Sequence, residues 1–208
     1  MLAPAPEAPD KSVFLNIPYD RQFTRLYLAY IAGLTSLGLI PRATIEIPGG
    51  QNRLEKIADL IRSCRYSIHD LSRVQLDRTA PVTPRFNMPF ELGLSVATAK
   101  LGGRAHDWFV FEAVPRRVAK SLSDLSGTDP NIHGGTIEGV MRELCNAFVR
   151  EVPHERVSVA EMLRTYRLIA RLSDDILRAT RAKSLFEAST FKHLCFVAST
   201  TVGLSRNY

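Results

Sequence analysis

The sequence predicts an α/β protein: a mostly parallel sheet of four to five strands in three layers with its helices, followed by a helical extension. Three observations predict it. Short apolar runs of strand length alternate with longer segments whose apolar residues recur every three or four positions. Glycine and proline punctuate the joins between them. The length of 208 residues, with 45% hydrophobic and 23% charged residues, fits one ordinary domain plus an appendage.

Ser12 to Ile17 is a run of β-formers stopped by Pro18, and reads as a buried strand. From Arg21 the pattern turns helical, with Phe23, Leu26, Tyr27, Tyr30, Ile31, Leu34 and Leu37 on the apolar face and Gly38 at the end. Leu39 to Ile47 supplies a second strand. Pro48-Gly49-Gly50 breaks the chain before a helix carrying Leu54, Ile57, Ala58 and Ile61 on one face. Arg65 to Leu71 is the third strand, Asn87 to Leu101 the third helix and Asp107 to Ala113 the fourth strand. Strands alternating with helices imply right-handed βαβ crossovers, hence the parallel sheet.

Arg116 to Leu125 reads as a further helix, followed by turn chemistry from Ser126 to Asn131. Thr136 caps an amphipathic helix with Ile137, Val140, Met141, Leu144 and Phe148 inward. Pro153 closes the α/β domain, giving a division into a disordered Pro/Ala-rich leader (1–10), the domain (11–153) and a helical extension (154–208). Ser158 to about Arg181 repeats the helical pattern; the periodicity from Ser184 onward is mixed and assigns no element.

Composition narrows the function. No run of about eighteen apolar residues exists, so no membrane partner is expected. The cysteines (Cys64, Cys145, Cys195) are odd in number and far apart, which fits a reducing cytoplasm and buried thiols. The net charge of +6 comes from scattered arginines, many among acidic residues on a helical pattern, which argues against nucleic acid as the partner and suits a phosphate-bearing small ligand. Metal-ligand spacing and the nucleophile elbow are both missing, and no resident cofactor or metal is expected.

Ligands of parallel sheets bind beyond the carboxyl ends of the strands. The first candidate there is Glu91, set among Phe86, Met88, Phe90 and Leu92 at a helix start. A carboxylate against apolar side chains resists ionisation, which suits acid–base or nucleophilic work; the alternative is a first-turn glutamate that complements the helix dipole. Asp70 ends the third strand and can bind a ribose hydroxyl or cap the next turn. Asn16, Pro18 and Tyr19 follow the first strand and can contact a base or sugar, whereas Asp20 reads as the N-cap of the next helix. Arg85 can pair with a pyrophosphate, and Phe86 and Asn87 lie beside it. Pro48 to Arg53 offers a phosphate cradle or a plain turn. His69 and His133 read as structural.

Ser12-Val13-Phe14-Leu15-Asn16-Ile17-Pro18-Tyr19-Asp20 resembles the opening strand and loop of TIR-like domains. Asp70-Leu71-Ser72, followed by Asn87-Met88-Pro89-Phe90-Glu91-Leu92-Gly93-Leu94-Ser95-Val96-Ala97, is similar to nucleoside 2-deoxyribosyltransferases. The resemblance spans about Ser12 to Ala113 and implies a flavodoxin-like fold acting on N-glycosidic bonds. It implies that Glu91 is the catalytic carboxylate, with Asp70 contacting ribose or the leaving group. Asn87 stands near a second acid of the transferases, and Ser95 stands where their motif has alanine. The expected activity is therefore NAD hydrolysis of TIR-like type, with NAD as substrate. The alternatives are deoxyribosyl transfer, or a non-catalytic nucleotide-sensing or protein-interaction module. The resemblance also implies a role in bacterial phage defence, a homo-oligomer using the helix from Ser158, and a defence-system partner protein.

Overall fold

The computed structural model describes residues 11–50, 52–74, 76–77, 82–103, 105–125, 127–150 and 157–205. The leader 1–10, the boundary at Pro153 and Gln51 lie outside these residues.

The first strand, β1 (Ser12–Asn16), is buried along its whole length, with the apolar Val13, Phe14 and Leu15 between the buried polar ends Ser12 and Asn16. Asp20 then caps the chain as the sequence predicts: its Oδ1 accepts from the N–H groups of Gln22 and Phe23, opening a 3-10 turn that leads into α1 (Thr24–Ser36). Gly38, at φ +77°, ends α1, and the N–H groups of Gly38 and Leu39 return to the carbonyls of Thr35 and Leu34. That double bond pattern needs a left-handed residue, which glycine supplies at no steric cost.

The chain continues through β2 (Ile40–Ala43), α2 (Arg53–Ser63), β3 (Tyr66–Asp70), a small antiparallel pair β4 (Leu76–Asp77) and β5 (Thr83–Pro84), and α3 (Asn87–Leu101). It goes on through β6 (Asp107–Glu112), α4 (Arg117–Ser121), β7 (Asn131–Ile132), α5 (Ile137–Ala147), α6 (Val159–Thr180) and α7 (Ala188–Ser205). The second strand is shorter than its sequence suggests. The Glu46 carboxylate accepts from Ala43 N–H and Arg42 Nε, which curls Thr44–Glu46 into a 3-10 turn and takes Ile45 to Ile47 out of the sheet.

The sheet order is β2-β1-β3-β6-β7, with all neighbours parallel. Renumbered within the sheet this is 2-1-3-4-5, the flavodoxin-like order, whose switch point lies between β1 and β3. Odd and even strand residues face opposite layers. Val13, Leu15, Tyr66, Ile68 and Phe111 join the core that holds α1 and α5. On the other face Phe14 packs with α2, and Leu71 and Val110 pack with Met88 and Leu92 of α3.

The C-terminal helices lie over α1 and share its core through Met162, Ile169, Ile176, Phe191, Leu194 and Ala198. As a result α1 is buried on every side from Leu26 to Ser36. At Gly33 the fit is close on two sides: an added Cβ would stand 2.5 Å from Leu144 Cδ1 of α5 and 3.8 Å from Met162 Sδ of α6. The apolar stripe of α6, expected as a surface for association, is thus occupied within the chain, and arginines occupy much of its outer face. Among the described residues no helix is long and apolar enough to cross a membrane.

Candidate active site

Glu91 sits on α3 where its inner ridge (Met88, Glu91, Leu92, Ser95) meets the sheet beside the switch point. Counting from Asn87 it is in the second turn, beyond the free N–H groups of the helix start, so it does not serve as a cap. Pro89 is tolerated in the first turn because its missing N–H would have had no partner there. Glu91 is 6% exposed, and none of the described residues hydrogen-bonds its carboxylate. Burial pushes its pKa up from 4.5 to about 7, with Arg53 of α2 pulling weakly the other way. One turn on, Ser95 is fully buried, and its hydroxyl has no hydrogen-bond partner among the described residues.

The desolvation of Glu91 has a different source from the one its sequence neighbours suggest. Phe86 and Phe90 are 70% and 54% exposed and turn outward. Met88 and Leu92 are buried, but in the separate cluster with Leu71, Val110 and Val118. What covers the carboxylate is the seat of α3 on the sheet and on α2, together with the loop after β1. In that loop Tyr19 lies in the electrostatic field of Glu91, Glu46 and Arg53, and burial raises the pKa of its hydroxyl, which donates to Leu15 O at 3.0 Å. Its neighbour Pro18 is buried.

Asp70 is on the opposite face. It is fully buried, and Tyr30 Oη of α1 donates to its Oδ2 at 2.8 Å. Ser72 N–H donates to Oδ1 at 2.9 Å, and His133 Nε2 lies 3.2 Å from Oδ2. The strand-end aspartate therefore caps its own turn, one of the two roles open to it from sequence. His133, Asp70 and Ser72 have the composition of a hydrolytic triad but not its geometry. Ser72 Oγ, at 3.0 Å, contacts the same Nε2 as Asp70, while Nδ1 accepts from Gly135 N–H at 3.0 Å. Gly134 and Gly135, at φ +63° and +69°, supply the left-handed pair that brings that N–H round. The cluster is a latch between β3 and the loop after β7. Glu112 beside it is 1% exposed and ion-paired with Arg117 at 2.9 Å.

The remaining candidates divide between rim and interior. Arg85 and Arg73 both donate to Asp20 Oδ2, at 2.8 and 2.7 Å. Burial acts to raise the Asp20 pKa, but the two guanidiniums hold it below the usual carboxylate range. Asn87 is exposed at the start of α3. Asn16 is 3% exposed and spends both amide hydrogens inside the protein, on Met88 O at 2.8 Å and His69 Nδ1 at 2.9 Å. Sequence reasoning missed Tyr30, whose polar tip is hidden in an apolar helix pattern. It also missed the role of His69 as a link.

Among the described residues no group of three or more His, Cys, Asp and Glu side chains is placed to hold a metal ion. Comparison with protein-family models, with curated proteins and with solved structures finds no match.

Proposed function

We propose that this protein hydrolyses the N-glycosidic bond of a nucleotide, with NAD as the substrate, and that Glu91 stabilises or attacks the anomeric carbon. One observation carries the reading: the nearly buried Glu91 carboxyl, without a hydrogen-bond partner among the described residues, at the switch point of a parallel sheet. A structural glutamate in such a place would be paired. A bare one, held at a cost in stability and with its pKa near neutrality, is the kind of group reactions use.

The chemistry selects among substrates. In NAD the bond joins ribose to a pyridinium, so nicotinamide departs as a neutral molecule and needs no acid to protonate it. Water supplies the hydroxyl that ends on the anomeric carbon and releases one proton. A neutral purine or pyrimidine leaving group would need a nearby acid. Among the described residues of the Glu91 face the obvious donors are missing: Asp70 points to the other layer, Glu46 is held by Arg42, and residue 87 is an amide. That supports NAD over a free nucleoside and hydrolysis over deoxyribosyl transfer. The guanidiniums of Arg73 and Arg85 at the rim suit a pyrophosphate, and the outward rings of Phe86 and Phe90 suit a stacked base.

The test is incubation of the purified protein with NAD. Nicotinamide is released by the wild type and not by Glu91→Gln; equal turnover by both removes Glu91 from the mechanism. The missing acid equally suits a module that binds a nucleotide without cleaving it. In that case the nucleotide raises the melting temperature and is recovered intact.

A further inference from the structure

A line of buried polar groups runs beneath α3, and the chemistry of its two ends fixes the direction of every bond in it. At one end a side-chain atom of Asn16 lies 2.8 Å from Met88 O, which can only accept, so the amide nitrogen must face it. The same nitrogen lies 2.9 Å from His69 Nδ1, which is therefore the unprotonated nitrogen of that ring. At the other end His106 Nδ1 lies 2.9 Å from Cys64 O and must carry the proton. Between them Ser67 Oγ bridges His69 Nε2 and His106 Nε2, both at 3.1 Å. The chain reads Asn16 to His69 to Ser67 to His106 to Cys64 O, each member donating to the next, and it closes only when both imidazoles are neutral.

We infer that His69 and Asn16 are positioning residues for Glu91: His69 Nδ1 orients the Asn16 amide, which anchors the first turn of α3 through Met88 O. Asn16 comes from β1 and Met88 lies three residues before Glu91, so the link ties the carboxylate's own helix to the switch point of the sheet. Burial works with the geometry: His69 and Asn16 are 0% and 3% exposed, and a bond lost there is not replaced by water. The burial of His69, reinforced by His106, holds its pKa down at about 3, so the acceptor on Nδ1 persists at neutral pH. The titratable group within reach of His69 is His106; Glu91 itself is faced by Arg53 from α2 and Tyr19 from the loop after β1.

The meaning of this inference rests on Glu91 being the working carboxylate, but its test needs no turnover. Glutamate side-chain carboxyls labelled with carbon-13 report the titration of Glu91 by NMR in the whole protein. In His69→Leu the Asn16 amide loses its acceptor, the first turn of α3 loosens, and the Glu91 midpoint falls by about one pH unit or more as water reaches it. In His69→Asn the side-chain oxygen stands where Nδ1 stood, and the midpoint stays near the wild-type value. An unchanged midpoint in His69→Leu overturns the inference, and so does an equal fall in both variants, which would make ring volume the cause. Should His69→Leu not fold, nitrogen-15 shifts of wild-type His69 decide the matter. Protonated Nε2 with bare Nδ1 between pH 5 and 8 upholds the link, and the reverse tautomer refutes it. Loss of NAD cleavage in the wild type with these shifts as expected would overturn the substrate and leave the positioning intact.

Discussion

Glu91→Gln, the substitution that should abolish activity, should also make the protein more stable, and by an amount that depends on pH in a defined sense. Burial raises the Glu91 pKa from 4.5 in the open chain to about 7 in the fold. Below pH 4.5 the group is protonated in both states and costs nothing extra. Between the two values the folded state binds more protons than the unfolded one, so stability is lost as pH rises, and the loss is complete above about 7. At about 1.4 kcal/mol per pH unit, the interval corresponds to about 3 kcal/mol. Glutamine has the shape of the protonated acid and never ionises. Urea unfolding of both proteins at pH 4.5 and 8.5 should therefore give a stability gain for the variant that is about 3 kcal/mol larger at the alkaline pH. Acid destabilisation through His69, whose folded pKa lies below its unfolded one, affects both proteins alike and cancels. A gain that is the same at both pH values would refute the claim that the carboxylate is desolvated.

Two further outcomes follow from the same groups. If NAD is cleaved with Glu91 ionised, kcat/KM should rise with pH across a midpoint near 7, since that quantity reports the free protein; a profile flat from pH 5.5 to 8.5 would exclude Glu91 as the titrating base. Ser95→Ala removes a fully buried hydroxyl with no partner among the described residues and improves helix propensity. It should stabilise the protein by about 1 kcal/mol in chemical unfolding. A loss of that size would mean that the hydroxyl is bonded in solution.

The strands and helices of the first half are readable because the sheet's strands carry β-formers at their centres between glycine and proline breaks, and α3 begins and ends where its pattern does. The failures have physical causes. β7 pairs through only Asn131 and Ile132, too short a stretch to show any periodicity among turn residues. In α7 the inward stripe of Phe191, Leu194 and Ala198 is blurred by Phe196, which is 67% exposed. At the site, Glu91 could be singled out as a carboxylate in apolar company, yet the neighbours that prompted this, Phe86 and Phe90, turn away from the core. Its isolation comes from residues distant in sequence, which no local pattern can reveal.

Strand alternation bears directly on how many carboxylates the site can use. Tyr66, Ile68 and Asp70 share one face of β3, and the first two lie in the core with α1. Asp70 must then face α1, where Tyr30 and His133 bind it, while Glu91 descends from α3 on the other side. Two acids at one sheet edge are thus separated by the sheet itself. One is satisfied by hydrogen bonds and holds a loop; the other has no hydrogen-bond partner among the described residues. Among the described residues, a reaction that needs a paired acid and base has only half of its equipment on the Glu91 face, whereas one with a cationic leaving group needs no more than one carboxylate. Moving a second acid onto that face, as in Asn87→Asp, is the change that would separate the two: it should leave nicotinamide release unchanged within about twofold. Cleavage of a neutral nucleoside, undetectable in the wild type, should appear only in that variant.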